Sequence, residues 1–466
     1  MAASNGSVHK IKKGLDLPIN GEPEQRIESA NAPARVAVMA ADYHGMKPTM
    51  HVQPGDAVRR GQLLFEDKKT PGVRYTSPAS GKVVAVNRGA KRALQSVVVE
   101  LDDEERSASG GATVRFEADT GKHPAELQPQ QVRDLLIESG QWTALRTRPY
   151  NKVPAVDSKP AAIFVTACDS APLAPKVSVV LEGRGDDFER GLVALGKLTD
   201  GPVFVCTDPE TDVQMPKEGD FRHEKFSGPH PSGTVGMHIH TLMPVDRQRT
   251  VWHTGYQDLL ALGVRFKSGE IDTHRVISVA GPKVARPRLV RTRLGASTED
   301  LARGELADGV DKETVRLISG SVFSGRSAGG DELGFLGRYV NQLSILVEGT
   351  ERELLGWLKP GANVFSLLPA FVSAWLPKKN YDFTTSTQGS HRALVPVGLY
   401  EKVFPFDIVP IYLLKSLIVG DVEHAERLGV MELDEEDIAL CSFVCPGKVE
   451  YGAYLRDALT ILEKEG

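Results

Sequence analysis

Three histidines of this chain lie close together in the sequence and could bind a metal ion. His238 and His240, in the string HIH, would place two imidazoles on one face of a β-strand, and His230 comes shortly before them. Imidazole is a common metal ligand, but no cysteine or carboxylate stands at tight ligand spacing here. We therefore predict a polar face of a sheet and assign no metal ligand.

The cysteines are the next candidates, as thiolate ligands or as disulfide partners. Cys441 and Cys445 form the motif C-x3-C-P, whereas Cys168 and Cys206 fall in a different predicted domain. An iron–sulfur cluster needs four thiolates, usually in a denser run. A secreted disulfide scaffold would carry more cysteines than the four of this chain. We predict buried structural cysteines.

Two glycine-containing loops come close to nucleotide-binding motifs. GSVFSGRS (320–327) nearly matches G-x-x-x-x-G-K-[ST], but Arg326 replaces the lysine that reaches the phosphates, and no helix is predicted behind it. GRGDDF (183–188) precedes a helix, as the dinucleotide loop G-x-G-x-x-G does. Phe188 stands where the third glycine would allow close packing, and no clear strand feeds the loop. We expect an ordinary turn at the first loop and no nucleotide at the second.

Lys68 and Lys69 stand in a pattern known from cofactor carriers. The string QPGDAVRRGQLLFEDKK (53–69) is followed by TSPASGKVV (76–84), which resembles the layout of biotinyl and lipoyl carrier domains. In those domains a lysine at a hairpin tip carries the cofactor, and here Lys68 or Lys69 would be that residue. A carrier needs a mobile linker, whereas this segment is followed closely by further folded chain. The pattern predicts the fold, and modification of the lysine stays an alternative.

The chain that holds these residues is ordinary in composition. Its 466 residues predict about three domains. The net charge of −5 excludes a protein that binds nucleic acid by neutralising phosphates. Residues 1–14 are polar, so we expect no secretory signal, and no run of about 18 uncharged apolar residues predicts a membrane span. We expect a soluble intracellular protein.

The longest uncharged stretch of the chain is rich in apolar residues. NVFSLLPAFVSAWLP (363–377) has Pro369 in its middle. A proline inside a helical pattern breaks the helix, so the stretch predicts a pair of buried helices. The alternative is a surface that meets a membrane or a membrane-embedded partner.

Periodicity divides the first half of the chain into two domains. Short strands separated by turn residues predict a barrel-sandwich hybrid domain over 34–105. A strand at 160–167, a helix at 188–198 and a strand at 202–206 predict a parallel βαβ unit. These elements indicate a Rossmann-like α/β domain over 106–257.

Strand patterns return in the second half and then give way to helices. We predict a β-grasp domain over 258–349 and a helical C-terminal region over 350–466, after an N-terminal extension and lead-in segment at 1–33. The β-grasp strands are predicted at 275–284, 287–295, 315–323 and 343–349, around an acidic helix at 298–306. The acidic stretch 102–111 is predicted as a solvated loop or a domain boundary. The predicted fold class is therefore multidomain, α+β and α/β.

Longer strings point to one family. They are IKKGLDLPINGEPEQ (11–25), VWHTGYQDLLALG (251–263), RPRLVRTRLGA (286–296), FTTSTQGSHRALVPVGLYEKVFPFDI (383–408) and the C-terminal stretch 433–466. Together they resemble the A subunits of Na+-translocating NADH:quinone oxidoreductases (Na+-NQR) of bacterial respiratory membranes. The resemblance runs from about Ile11 to Gly466, so the first ten residues are expected to be an extension outside it.

The resemblance implies a role in a larger enzyme. That complex oxidises NADH, passes electrons through flavins and iron–sulfur chemistry to ubiquinone, and exports Na+. The A subunit is its peripheral member on the cytoplasmic side of the inner membrane. It is related to the C subunit of Rnf complexes and to the NADH- and flavin-binding subunit of complex I. The glycine-rich flavin loop and the ferredoxin-type cysteine runs of those relatives are missing from this sequence.

We therefore expect an electron-transfer scaffold without a redox centre of its own, inactive in isolation. The implied partners are the other five subunits, chiefly the membrane-embedded B subunit, with ubiquinone as a candidate ligand and no nucleic acid. No catalytic residue is assigned, and the cofactor-binding residues stay unknown. Two alternatives stay open: a lipoyl or biotin carrier modified at Lys68 or Lys69, and a soluble flavin or NAD enzyme.

Attachment to the membrane must come from protein contact or from an interfacial surface. The best apolar material lies in the C-terminal region, and most of it is expected to fill a helical core: Phe365, Leu367, Leu368, Phe371, Trp375, Leu376, Val403, Phe404, Phe406, Ile408 and Ile411. Lysines could add attraction to anionic headgroups, namely Lys378 and Lys379 after Trp375, and Lys10, Lys12 and Lys13 near the N-terminus.

Overall fold

The computed structural model of the chain describes residues 8–107, 111–350 and 359–465. The N-terminal segment contributes two strands to two different sheets, β1 (Val8–Lys10) and β2 (Glu24–Ser29). β1 pairs in parallel with Phe221–Ser227, and β2 pairs in parallel with Arg288–Arg293. Residues 8–10, which we expected to belong to an extension, are therefore an edge strand of the fold.

The predicted barrel-sandwich hybrid consists of two small antiparallel sheets, ordered β3-β9-β8-β5 and β4-β6-β7. Its strands are β3 (Arg35–Met39), β4 (Pro48–Met50), β5 (Ala57–Val58), β6 (Leu63–Asp67), β7 (Arg74–Thr76), β8 (Gly81–Arg88) and β9 (Leu94–Leu101), followed by the short helix α1 (Asp103–Arg106). Phe65, Val83 and Val97 fill the shared core. Gly81 is required where β8 begins, because an added Cβ would lie 1.9 Å from the carbonyl oxygen of Glu100.

The Rossmann-like part is a sheet with helices on both faces, ordered β1-β13-β12-β11-β14-β10. Its elements are α2 (Pro129–Glu138), β10 (Arg146–Arg148), β11 (Ile163–Ala167), α3 (Val177–Leu181), α4 (Gly185–Gly196), β12 (Val203–Thr207), β13 (Phe221–Ser227), α5 (Val235–Leu242), β14 (Val251–Gly255) and α6 (Tyr256–Ser268). All neighbouring strands are parallel except β10 and β14. Ile163 packs towards α4 and α6, and Phe164 packs towards α5. Both faces of the sheet are thus covered, which explains the unbroken apolar run in β11.

The predicted β-grasp part is a mixed sheet ordered β18-β17-β19-β15-β16-β2, with α7 packed beside β17. Its elements are β15 (His274–Ala280), β16 (Arg288–Arg293), α7 (Thr298–Ala302), β17 (Val315–Ser319), β18 (Arg326–Ser327), α8 (Gly330–Leu333) and β19 (Gln342–Val347). β15 pairs in parallel with β19 and antiparallel with β16. The sheets confirm the predicted fold class. The single helical turn α8 corrects our prediction that no helix follows residues 320–327.

The C-terminal region is helical from residue 400 onward. Its helices are α9 (Tyr400–Val403), α10 (Pro410–Val419), α11 (Val422–Arg427), α12 (Glu435–Val444) and α13 (Tyr451–Glu465). Short 3-10 turns occur along the described chain at Ala40–Asp42, Ala90–Arg92, Pro124–Glu126, Gln141–Ala144, Lys312–Thr314, Val372–Trp375 and Val430–Glu432. Val403, Phe404 and Phe406 are buried in the core of these helices, as expected.

The stretch 363–377 is not the pair of buried helices that we predicted. Its regular structure is the 3-10 turn Val372–Trp375, and Trp375 is 72% exposed. Pro369 and Pro377 prevent helix continuation on either side of the turn. The apolar residues of this stretch therefore split, because Phe365 and Leu367 pack against the helical core whereas Leu368 and Leu376 are exposed.

The prediction that His238 and His240 share a strand face is wrong. Both lie in α5, which begins after Thr234, whose side chain accepts a hydrogen bond from the Met237 N–H. Residues two apart in a helix point to different sides. His238 is fully buried with its Nε2 3.1 Å from the Ser232 carbonyl oxygen, and His240 Nδ1 lies 2.7 Å from Glu432 Oε2.

The acidic stretch 102–111 is not only a solvated loop, because Glu105 is buried. Its carboxylate accepts from Arg60 Nη2 at 2.7 Å and from Ser80 N at 3.1 Å, and it lies 2.9 Å from Arg293 Nη2. Arg60 and Ser80 belong to the barrel, whereas Arg293 ends β16. Glu105 therefore joins the barrel to the β-grasp sheet.

Replacing Glu105 should destabilise the protein strongly. Glu105→Ala leaves Arg60 and Arg293 buried without their anion, and we expect the free energy of unfolding to fall by about 3–5 kcal/mol. Denaturant-induced unfolding measures the loss. Glu104→Ala, an exposed neighbour in the same helical turn, should change stability by less than about 0.5 kcal/mol. Equal losses in both variants would contradict the role of Glu105.

Candidate functional site at the carboxyl edge of the α/β sheet

The strand order of the α/β sheet reverses between β11 and β14. From β11 the chain moves to β12 on one side, and it returns later to β14 on the other side. Such a reversal opens a crevice at the carboxyl ends of the two strands, where α/β proteins bind ligands. Asp169 and Ser170 come one residue after the end of β11, beyond Cys168, so they lie at this crevice.

A short hydrogen-bonded chain begins at Ser170. Its Oγ lies 3.1 Å from His230 Nδ1 and accepts from the Gly233 N–H at 2.8 Å. Burial lowers the pKa of His230 to about 4, so its imidazole is neutral at physiological pH. The ring of His230 stacks on Phe323, with 5.4 Å between the ring centres.

Two carboxylic acids near the crevice take up protons close to neutral pH. Burial raises the pKa of Asp169 to about 6. Hydrogen bonds from Ala171 N at 3.0 Å and Asn341 Nδ2 at 3.4 Å act in the opposite direction, because they stabilise the ionised carboxylate. Burial also raises the pKa of Glu436 to about 7, and the negative charges of Asp437 and Asp169 add to the effect. Carboxyl groups with such pKa values are typical of sites that hold or move protons.

Three buried polar atoms on β11 and β14 have no hydrogen-bond partner among the described residues. They are Thr166 Oγ1, His253 Nε2 and Thr254 Oγ1. Phe164 of β11 stands opposite His253 of β14, so Thr166 and His253 point to the same face of the sheet. Buried polar atoms are normally satisfied by protein, water or a ligand. This face therefore offers polar atoms to a bound molecule or to water.

Buried ion pairs hold the C-terminal helices against the α/β sheet. Arg148 is 1% exposed, donates to Asp437 Oδ2 at 2.9 Å and lies 3.6 Å from Asp434 Oδ2. Arg456 of α13 bonds Asp434 and Glu435. Burial opposes ionisation of Asp434, yet Arg148 and Arg456 hold its pKa well below the ordinary value. We call these five residues the Arg148 cluster.

His44, Asp434 and Glu435 could in principle hold a metal ion, because their ligand atoms lie within 4.8 Å of one another. The two carboxylates already bind Arg456, and Arg148 lies close to Asp434. Two guanidinium charges this near oppose a bound cation. We assign no metal ligand to the group.

A series of aromatic rings leads from the crevice to the surface. Phe323 stacks on His230, and its ring centre is 5.0 Å from that of Phe443. Phe443 is 6.5 Å from Phe365, which is 5.5 Å from Phe383. Phe443 is 36% exposed. We call Phe323, Phe443, Phe365 and Phe383 the aromatic row.

These features define what the site can do chemically. The crevice combines a neutral imidazole and a hydroxyl with carboxyl groups that are partly protonated near pH 7. The aromatic row gives an apolar approach on one side. The arrangement suits a flat, uncharged ring that accepts hydrogen bonds and takes up protons.

Lys68 and Lys69 are exposed, at the tip of the β6–β7 hairpin. Asp67 Oδ1 accepts from the Lys69 N–H and from the Lys47 N–H, both at 2.9 Å. Gly72 in the same turn lies against Val156 of the α/β part. The tip is therefore tied down on two sides, which does not favour a swinging carrier.

In the two glycine-containing loops, the arginines bond to neighbouring protein groups. Arg326 donates to the carbonyl oxygens of Leu333 at 3.0 Å and Phe335 at 2.7 Å. In the loop 183–188, Arg184 donates to Asp187 at 2.7 Å, and Phe188 is buried in the core. Asp186 and Asp187 occupy the first turn of α4, where a phosphate would have to bind. The arginine of each loop is therefore already bonded within the protein, and neither loop has the features of a phosphate-binding site.

The four cysteines are free and buried, as predicted. Cys168 and Cys206 lie at the α/β sheet, whereas Cys441 and Cys445 lie in the helical core. Hydrogen bonds from Tyr400 at 3.2 Å and from Tyr451 at 3.3 Å lower the pKa of the Cys445 thiol, although burial opposes its ionisation. The donor set does not bring four thiolates to one place.

The crevice residues were not singled out from the sequence. One signal was available for Asp169 and Ser170, because polar residues directly after a buried parallel strand stand at the ligand-binding edge of the sheet. No comparable signal marks Glu436. In the string LDEED it looks like one of several acids at the start of a helix.

Family models match most of the described chain. Residues 9–102 match the NqrA N-terminal barrel-sandwich hybrid domain, residues 127–271 match the NqrA second alpha/beta domain, and residues 276–330 match the NQRA C-terminal domain.

Curated relatives extend the likeness to the full length. The chain is 53% identical to the A subunit of the Na(+)-translocating NADH-quinone reductase of Hahella chejuensis, over 98% of this chain and 100% of the relative. The corresponding protein of Alcanivorax borkumensis is 52% identical over the same shares. That of Rhodopirellula baltica is 50% identical over 464 residues, 100% of both chains, so that likeness extends into the first ten residues.

Stability should depend on pH through Glu436. An unfolded glutamate ionises near pH 4.5, whereas Glu436 in the folded protein ionises near pH 7. Between these values the folded state binds more protons, so the free energy of unfolding should fall as pH rises and then stay level above pH 7. In Glu436→Gln this contribution is absent. We expect the decrease in the free energy of unfolding between pH 5 and pH 7 to be smaller than in the wild type by about 2 kcal/mol, a value reduced for the partial exposure of Glu436.

Denaturant-induced unfolding at a series of pH values from 5 to 8 measures the difference between the variant and the wild type. Glu423→Gln, at an exposed position of α11, is the matched control and should follow the wild type throughout. A Glu436→Gln curve parallel to that of the wild type would contradict the pKa assignment.

Proposed function

The chain belongs to the family of A subunits of Na+-translocating NADH-quinone reductases, and we propose that it serves as the peripheral subunit of such a complex. It lies on the cytoplasmic side of a bacterial inner membrane and contributes to quinone reduction coupled to Na+ export. The observation that carries this proposal is the full-length likeness, 53% identity over 98% of the chain. In the described ranges, no helix is long and apolar enough to cross a membrane.

The complex works with NADH, flavins, iron–sulfur chemistry, ubiquinone and Na+, but this chain binds none of the redox cofactors. In the loop 183–188 the charge of Arg184 is neutralised by Asp187, and the cysteines lie in two separate places, two at the α/β sheet and two in the helical core. Both observations support that assignment. Electrons reach quinone from partner subunits, and the isolated chain has no reductase activity. The tied hairpin tip at Lys68 and Lys69 gives the carrier alternative no support.

The crevice is the place where this chain meets the quinone head group. A quinone is a flat, uncharged ring with carbonyl oxygens, which matches the neutral His230 beside Ser170. Phe323 can stack with the ring, and the aromatic row provides an apolar path for the isoprenoid tail. Polar groups at one end of an apolar track are what a quinone requires.

Reduction of a quinone to its quinol takes two electrons and two protons. The electrons come from the partner subunits, and the carboxyl groups of Glu436 and Asp169 can each release one proton near neutral pH. A group with a pKa close to the working pH gives up its proton and regains it with little cost. Water at the crevice then returns the protons to both carboxylates.

The contact with the other five subunits, chiefly the membrane-embedded B subunit, involves the outer face of α10. Val409, Tyr412 and Val419 are 50, 58 and 76% exposed along this face, whereas Leu413, Leu414 and Leu417 fill the core behind it. Lys415 is also exposed on this face, between Tyr412 and Val419. Exposed apolar side chains grouped around one lysine favour a contact with a protein partner. Exposed charges of both signs adjoin these apolar side chains, namely Lys415 and the acids Asp407, Asp421 and Glu423, so the face suits a protein surface that can pair with both.

His230 and Phe323 should support quinone binding. We expect His230→Ala and Phe323→Ala each to weaken binding of a short-tailed ubiquinone analogue by about tenfold, since each removes a polar or stacking contact. Equilibrium dialysis with the full-length protein measures the affinity. His274→Ala removes an exposed histidine outside the crevice and should leave the affinity unchanged. Unaltered binding in both crevice variants would refute the site.

The α10 face should be needed for assembly. Tyr412→Asp places a charge in an apolar contact and should lower co-purification with the membrane subunits at least tenfold. Retention of this chain on an affinity-tagged B subunit measures the effect. Ile461→Asp, at a 40% exposed position of α13, should be retained like the wild type. Full retention of Tyr412→Asp would place the contact elsewhere.

A further inference from the structure

Residues 360–379 form a compact loop that is built on its own contacts. The Val372 N–H donates to the Pro360 carbonyl at 2.8 Å, and Ser373 Oγ donates to the Val364 carbonyl at 2.6 Å. These bonds join the start of the segment to the turn Val372–Trp375, and Lys379 Nζ donates to Asn363 Oδ1, so the two ends come together as in an Ω-loop. Phe365 fixes the loop to the body of the protein through Phe443 and Phe383. We call residues 360–379 the Trp375 loop.

The outer surface of the Trp375 loop is apolar. Trp375 and Leu376 are 72 and 43% exposed, and Val364, Leu368 and Val372 are exposed as well. A loop whose apolar side chains point to solvent has no packing reason for that composition. Contiguous exposed apolar surface in a soluble region usually marks a contact with a partner or a membrane.

The charges in and after the loop are mostly positive. Between residues 360 and 399 the cationic side chains are Lys378, Lys379 and Arg392, and the carboxylate is Asp382. Asp382 accepts from Asn20 at 2.6 Å and from Lys283 at 3.0 Å, so its charge is neutralised within the fold. The segment is therefore basic, in a chain whose net charge is −5.

We propose that the Trp375 loop inserts into the interface of an anionic lipid bilayer. An exposed tryptophan with apolar neighbours and adjacent lysines matches the depth profile of that interface, where indole lies at the headgroup level and ammonium groups meet lipid phosphates. The loop and α10 are different segments of the chain, so lipid and partner subunits are assigned to different surfaces. Phe365 belongs both to the loop and to the aromatic row, so insertion brings the bilayer to the outer end of that row.

Sedimentation of the full-length protein with vesicles tests the proposal directly. We expect binding to vesicles of phosphatidylcholine with phosphatidylglycerol and much weaker binding to phosphatidylcholine alone. Trp375→Ala should lower the partition coefficient about tenfold, through lost apolar burial. Lys378→Gln should lower it about fivefold and reduce its salt dependence. Trp375 and Lys378 are exposed, so these variants should fold normally.

Tyr412→Asp separates this proposal from the subunit contact. It changes an exposed aromatic residue of α10 and should bind anionic vesicles like the wild type, whatever its effect on assembly. Absence of binding to anionic vesicles would overturn the proposal, as would equal binding of Trp375→Ala and the wild type. Binding that requires partner subunits in the vesicles would also overturn it and would make the Trp375 loop a protein interface.

Discussion

The position of the C-terminal helices depends on the burial of one guanidinium group. Arg148 is almost fully removed from water, and a buried charge is stable only when carboxylates surround it. Asp434 and Asp437 provide them from the first turn of α12, which fixes the rotation of that helix against the α/β sheet. The same rotation brings Glu436 within electrostatic reach of Asp169. Phe443, two turns further along α12, is thereby set against Phe323.

Polar and apolar functions are arranged in a gradient across the molecule. The protonatable groups lie at the carboxyl edge of the sheet, close to the Arg148 cluster, where burial can shift their pKa values. Toward the surface, the aromatic row takes the place of the protonatable groups. It ends at the Trp375 loop, whose apolar side chains are exposed. This arrangement suits a hydrophobic ligand with a polar head, because the head would meet the protonatable groups while the tail lies along the rings.

Local patterns predicted the sheets well and long-range partners poorly. The turn residues around Gly81 and the apolar run of β11 are each signals contained within a few residues of sequence. The barrel and the βαβ unit could therefore be predicted. The bond between Arg148 and Asp437 joins residues 289 apart, and no local pattern reveals it. Glu105 was misjudged for the same reason, since its partner Arg293 lies in another domain. The string HIH alternates polar and apolar residues as a strand does. We gave this alternation more weight than Thr234, the N-cap residue that marks the start of a helix.

The pairing of β2 has a consequence for the order of biosynthesis. Its Glu28 binds Arg288, which the ribosome adds 260 residues later. At about 5–20 residues per second, the strand waits roughly 13 to 50 seconds before its partner emerges. An unpaired strand in a crowded cytoplasm risks joining a strand of another nascent chain. The sequence EQRIES places charges at alternate positions of β2, which keeps the waiting edge hydrated until the β-grasp sheet can receive it.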